Sequence, residues 1–173
     1  MGNNWKITDT LTKVFADEVP DGQGSIRLST LHRETVSCVI AYFGAADWGR
    51  YWKVSVKAPE KIETRLRRVE LVPSAYPCHK EQDDNYLRIV PGMYPDLLRD
   101  LDTEDDGADK KYLTKEVPGQ WRSLWLDVTV DAELASGDYA IVIETETEDG
   151  EKETLKADLH VVCLLYTSDA ADE

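Results

Sequence analysis

Bases, histidines, cysteines and long apolar runs are all scarce in this sequence, and each shortage removes a class of function. Only 20 Lys and Arg stand against 34 Asp and Glu, a formal charge of −14, whereas a nucleic-acid binder must present clustered cations to phosphates. The same excess of acid disfavours anionic membrane surfaces. No stretch approaches the ~20 consecutive apolar residues of a spanning helix, and the start Met1-Gly2-Asn3-Asn4-Trp5-Lys6 lacks the apolar centre of a secretory signal. With Met1 as the start of the chain, the sequence predicts a cytoplasmic protein whose partners include neither nucleic acid nor membrane.

With Cys163 set aside as part of the tail 163–173, Cys38 and Cys78 are too few for a disulfide framework and read as two thiols, buried or at the surface, of a reducing compartment. Cys78-His79 lies beside Glu81, Asp83 and Asp84, with His32 and His160 far off. No two Cys or His stand at ligand spacing on a rigid element, so no metal site is expected. Asp102-Thr103-Glu104-Asp105-Asp106-Gly107 has the acids and glycine of a calcium loop. However, Lys110 takes its ninth position, and Leu113 its twelfth, where a bidentate Glu belongs. The run reads as a solvated acidic loop. Neither a Gly-x-Ser-x-Gly elbow nor a phosphate-cradling glycine loop is present. No catalytic residue and no cofactor are expected.

What the sequence does have is 42% hydrophobic residues, enough for one globular core in a chain of 173. Period-two alternation dominates and helical periodicity is almost absent, which predicts strands with one face inward. Ile26 and Leu28 alternate with Arg27 and Ser29. Val36, Cys38, Ile40 and Tyr42 oppose Ser37, Val39, Ala41 and Phe43, a run apolar on both sides that belongs in the middle of a sheet. Trp52, Val54 and Val56 face away from Lys53, Ser55 and Lys57, so one side of that strand is wet. In 62–72 the inward parity changes near Arg67-Arg68, which suggests a bulge.

Pro73, Pro77, Pro91 and Pro95 mark a long irregular connection over about 73–119, well beyond usual loop lengths. Alternation resumes at Trp121, with Leu124, Leu126, Val128 and Val130 set against Trp125, Asp127 and Thr129. Glu148-Asp149-Gly150 reads as a hairpin turn because Asp-Gly tolerates positive φ. The last strand, 154–162, presents Leu155, Ala157, Leu159 and Val161 to the core. Seven or eight such strands predict an all-β fold, an antiparallel immunoglobulin-like β-sandwich. The segment 5–15 is open between a strand and a short helix.

The run 163–172, Cys-Leu-Leu-Tyr-Thr-Ser-Asp-Ala-Ala-Asp, matches codon for codon the translated transposase adapter of sequencing libraries. It is set aside from the fold. The expectation is one β-sandwich domain over 1–162, a non-native tail over 163–173, and a natural polypeptide that continues past Val162.

Five aromatic residues, Trp48, Tyr51, Trp52, Trp121 and Trp125, could form a sugar-stacking platform. Trp125 points away from the core if Leu124 and Leu126 point in. The other reading is that the long connection or a following domain covers these rings, since large aromatics dominate cores and interfaces.

Three strings carry a family resemblance. They are Pro91-Gly92-Met93-Tyr94-Pro95-Asp96-Leu97-Leu98, then Gly119-Gln120-Trp121-Arg122-Ser123-Leu124-Trp125-Leu126-Asp127-Val128, then Gly137-Asp138-Tyr139. In this order they resemble the amino-terminal sandwich domain of family 123 glycoside hydrolases and their relatives. Arg33-Glu34-Thr35-Val36-Ser37 is similar to the run that enters a central strand there. The resemblance implies a TIM-barrel domain after Val162, with an adjacent Asp-Glu pair for substrate-assisted cleavage of a β-linked N-acetylgalactosaminide. This chain would then be a non-catalytic accessory domain that packs against the barrel, its partner in the same polypeptide. A carbohydrate-binding module is the alternative, with glycan as the partner. The matched residues read as structural: Pro91, Gly92 and Pro95 fixing a turn, Tyr94 and Asp96 within it, Gly119 and Gln120 leading tightly into the next strand.

Overall fold

The computed structural model describes residues 4–46, 48–81, 85–105 and 110–162. Alternation becomes eleven strands among them: β1 (Trp5–Thr8), β2 (Ser25–Leu31), β3 (Thr35–Phe43), β4 (Tyr51–Lys57), β5 (Ile62–Ser74), β6 (Gly92–Asp100), β7 (Asp102–Asp105), β8 (Lys110–Lys115), β9 (Trp121–Val130), β10 (Gly137–Thr147) and β11 (Lys152–Val162). They form two layers, a five-stranded sheet in the order β1-β3-β9-β5-β6 and a six-stranded sheet in the order β2-β11-β10-β4-β8-β7. The all-β sandwich expected from the pattern is what the chain builds, with one departure. β2 runs parallel to β11, from Ser25 opposite Lys156 to Leu31 opposite Val162, while the other pairings are antiparallel. The segment 5–15 begins as strand β1 and continues as irregular chain.

Each inner face is supplied by every second residue. Cys38, Ile40 and Tyr42 of β3 and Leu124, Leu126, Val128 and Val130 of β9 meet Val54, Ile141, Ile143, Leu155, Ala157 and Leu159 of the facing sheet, all buried. Trp5 stacks on Tyr42 at 4.8 Å and meets Trp52 edge-on at 5.1 Å. Such pairs add roughly 0.5–1.5 kcal/mol to the area they bury.

The five-stranded sheet is buried on its outer side too, which explains why β3 is apolar in both registers. The segment after β1 folds back over it, placing Val14 against Val39, Ala41 and Trp121. Asp9 accepts hydrogen bonds from the backbone N–H groups of Leu11 and Thr12, both at 3.0 Å, and Trp121 N–H donates to the Ala16 carbonyl at 2.9 Å. The parity change in β5 has the same cause. Leu66 faces the inner core and Val69 the outer one, while the pairing with β9 runs unbroken from Ile62 to Val69. The register shift lies at Glu70/Leu71, against β6.

The irregular connection expected over 73–119 is instead a β5–β6 hairpin followed by the short pair β7–β8. β6 and β7 are edge strands, which bury little and need no alternation. Pro95 sits inside β6 opposite Leu71, beside the register shift. An edge strand or a bulge is where a sheet accommodates a residue without N–H. Gly92 and Pro95 therefore belong to a strand and not to a turn. The first four residues of the acidic run form β7 and not a loop. Glu104 of β7 stands opposite Lys111 of β8 and receives Lys53 Nζ at 2.8 Å. Asp106 and Gly107, the tail 163–173, and Asp83 and Asp84 lie outside the described residues.

Candidate functional site

The two ends of the sandwich differ. At the end where β3 and β5 start, Ile62, Val130 and Leu134 seal the core, and His32 Nε2 lies 2.6 Å from the Leu134 carbonyl. At the other end, charged residues occupy core-facing positions. Arg122 stands opposite Tyr42, and Arg68 opposite Leu124, so both arginines share the inward face of their sheet. Together with Gly49, Val69, Glu70, Lys115, Glu116, Val117 and Pro118 they line a cavity of about 430 Å³.

Its walls are tied by polar contacts. Tyr42 Oη lies 2.8 Å from Thr114 Oγ1. Burial pushes the Tyr42 phenol pKa up, against the opposing pull of that hydrogen bond and of the Arg122 and Arg68 charges. Arg68 Nε donates to Glu70 at 2.8 Å. Glu116 is fully buried at its side chain. It accepts from Arg50 Nε at 2.9 Å and from the Trp52 indole N–H at 3.1 Å, while Arg50 reaches on to Glu151 at 2.6 Å. Arg122 Nε is buried without a hydrogen-bond partner.

The floor depends on two glycines. Gly44 bridges in parallel to Pro118, and a Cβ there would stand 2.1 Å from the Val117 carbonyl oxygen. Gly119 has φ +69 in a turn closed by the Gln120 N–H to the Val117 carbonyl at 3.1 Å. Pro second and a positive-φ glycine third is the signature of a type II turn. The turn leads directly into β9 at Trp121.

A second region is the outer face of the five-stranded sheet around Trp125. Its indole N–H donates to Asp127 at 2.7 Å, Ser37 donates to the same oxygen at 2.7 Å, and Arg67 meets the other oxygen at 2.5 Å. Burial opposes ionisation of Asp127, but these three donors outweigh it and hold its carboxyl below the usual range. Trp125, half-buried, faces a groove of about 230 Å³ shared with Val14, Val39, Pro95 and Leu98.

The expected aromatic platform is not assembled. Trp52 is in the core and Trp121 is buried under the amino-terminal segment, so neither ring is available to a sugar. Trp48 is 58% exposed and Tyr51 47% exposed; Trp48 directly precedes Gly49, which lines the end cavity, while Tyr51 has the opposite parity to buried Trp52 and faces outward. Lys115 Nζ sits 5.1 Å over the Tyr51 ring. Of the matched string, Tyr94 packs edge-on against Phe15 at 5.7 Å and places its hydroxyl 2.6 Å from the Val90 carbonyl, while Pro91 and Asp96 are exposed. Among the described residues no three His, Cys, Asp or Glu are grouped as a metal site. No helix among them is long and apolar enough to cross a membrane. Sequence reasoning missed Arg68, Arg122, Arg50 and Glu116. The available signal was two arginines on the core parity of their strands.

No family model and no curated protein matches the chain. Among solved structures, a family 123 glycoside hydrolase from Clostridium perfringens is similar over 93% of this chain, with TM-score 0.63 and 10% identity. The chain spans only 27% of that protein's length. The N-terminal domain of PorA is similar over 91% of this chain and 96% of its own, at TM-score 0.44 and 7% identity. A PapD-like domain of human CEP192 is similar over 95% and 92%, at TM-score 0.38 and 8% identity. At these identities, what this chain shares with the glycoside hydrolase is the two-layer sandwich.

Proposed function

We propose that this chain is the non-catalytic accessory sandwich of a glycoside hydrolase, packed against and supporting a catalytic barrel of the same polypeptide. The reading is carried by the match of 93% of the chain to a part, 27%, of a family 123 glycoside hydrolase. The surface supports it. Tyr76, Tyr86, Leu87, Ile89, Val90, Met93 and Leu97 are all exposed and all belong to the β5–β6 connection or β6. Apolar surface concentrated in this way marks a contact face. Val162 ends β11 beside Leu31, at the sealed end of the sandwich, whereas the β5–β6 connection lies at the other end. Strands of ten residues span roughly 33 Å, so a following domain that covers the apolar stretch lies along the flank.

The chemistry of that domain, cleavage of a β-linked N-acetylgalactosaminide by an adjacent Asp-Glu pair, belongs to the same proposal. So does the adapter origin of 163–172. Reading the natural gene across codon 162 tests both. The expected result is an open frame that departs from the adapter sequence and encodes a barrel with adjacent acids. A stop codon directly after Val162 refutes the accessory role.

A further inference from the structure

We propose that the cavity between Tyr42, Arg68, Arg122 and Glu116 binds the carboxylate of an acidic saccharide, with Arg122 as the charge partner and exposed Trp48, next to the lining Gly49, as the stacking surface. This inference needs no following domain, and it assigns the end cavity a ligand class of its own.

The charge balance of the lining selects an anion. Of its two acids, Glu116 is held by Arg50 and the Trp52 indole, and Glu70 by Arg68, with Arg99 3.9 Å away. Among the described residues no ion pair is found for Arg122 or Lys115, the two remaining cations of the lining, in a protein of net charge −14. Arg122 Nε itself is closed off and has no acceptor, so a ligand meets the rest of this guanidinium, which lines the cavity. A guanidinium presents a planar fork of N–H groups that matches a carboxylate in two hydrogen bonds.

The exposed aromatic ring next to Gly49 selects the body that carries the carboxylate. Trp48 and Tyr51 keep about half of their surfaces in water on a stretch whose Gly49 packs against Lys115 and the Glu116 carbonyl, both within 2.7 Å of where a Cβ would stand. A side chain at position 49 would collide with the wall of the cavity. The volume, about 430 Å³, lies within the ~300–1,000 Å³ of small-molecule sites. A pyranose ring with one face on Trp48 and its carboxylate directed inward uses both features. A neutral sugar leaves Arg122 unanswered.

Calorimetric titration of the 173-residue chain with digalacturonate, with the corresponding neutral disaccharide and with inorganic phosphate tests this. Digalacturonate is expected to bind about tenfold or more tightly than either other probe. Arg122→Gln should weaken it about tenfold, with Arg122→Lys between the two because it keeps the charge and loses the fork. Trp48→Ala, at an exposed position outside the core, should weaken it severalfold without moving the melting temperature. No heat with digalacturonate up to about 10 mM, equal binding of the neutral sugar or of phosphate, or unchanged binding in folded Arg122→Gln each overturns the proposal. None of these results bears on the accessory role, which is decided by the gene sequence.

Discussion

Replacing Glu116 by Ala should be among the most damaging single changes at the open end of the sandwich. The carboxylate is fully buried and makes two hydrogen bonds, one from Arg50 Nε at 2.9 Å and one from the Trp52 indole at 3.1 Å. Truncation strands both donors. Removing one partner of a buried pair costs about 3–5 kcal/mol, because the remaining charge is left without compensation. Arg50 keeps Glu151 at 2.6 Å and is 14% exposed, which places the expectation at about 3 kcal/mol, near the lower end of that range. For a domain of this size that lowers the melting temperature by roughly 6–12 °C. Urea unfolding followed by tryptophan fluorescence measures it, with Lys53→Ala as the control. The Lys53–Glu104 pair is 41% and 51% exposed, and its loss should cost less than about 1 kcal/mol. In Arg50→Met/Glu116→Ala the two costs should overlap, with a coupling of about 1–3 kcal/mol. A loss below about 1 kcal/mol for Glu116→Ala, or strict additivity in the double variant, refutes the argument that buried charge pairing holds this end together.

Cys38 is fully buried and its thiol is pushed up to about 12, first by burial and then by the Asp127 charge. It should resist alkylation in the native protein while half-buried Cys78 reacts, as peptide mass mapping reads at each site. Asp127 has a folded-state pKa below its usual value, so its contribution is present above the unfolded pKa and is lost as pH falls through the folded one. Asp127→Asn should therefore cost about 1–2 kcal/mol at pH 7, and the gap to the parent should close below about pH 4. Gly44→Ala forces a Cβ to 2.1 Å from the Val117 carbonyl oxygen. It should destabilise by at least about 1–3 kcal/mol, and a melting temperature unchanged from the parent would count against the close approach of those two backbones.

The core strands were legible because their alternation is a direct consequence of having one face in each sheet. β9, β10 and β11 bury every second residue with almost no exception. The central place of β3 was legible for the same reason, since apolar residues in both registers mean a strand covered on both sides. β6, β7 and β8 were not legible. β6 and β7 are edge strands, so their side chains answer to solvent and to neighbouring charges, and prolines and acids then read as loop. The parity change in β5 was visible, but its cause was not, because the cover that buries Val69 comes from a segment more than fifty residues earlier. The site shows the same limit. Trp125 could be picked out by its parity, and Trp52 shares the face of Val54 and Val56, whereas Trp48 and Trp121 carry no such signal, and only the fold separates an exposed ring from a buried one.

Nothing in the topology requires charge at the open end. Ile62, Val130 and Leu134 close the opposite end with apolar side chains, and replacing buried ion pairs by apolar residues of similar volume is often neutral or stabilising. Yet Arg68 and Arg122 occupy positions of the same parity as Leu66 and Leu124, where an apolar side chain would extend the core by one layer. Closing the sandwich with charge is therefore not explained by stability. The arrangement holds open a cavity lined by Tyr42, by paired acids and by Gly49, which exposed Trp48 precedes. A closed apolar end could not offer Arg122 to a ligand. Combining Arg68→Leu with Arg122→Leu separates the two accounts: if the charges serve binding, the double variant should melt no lower than the parent while losing uronate binding altogether.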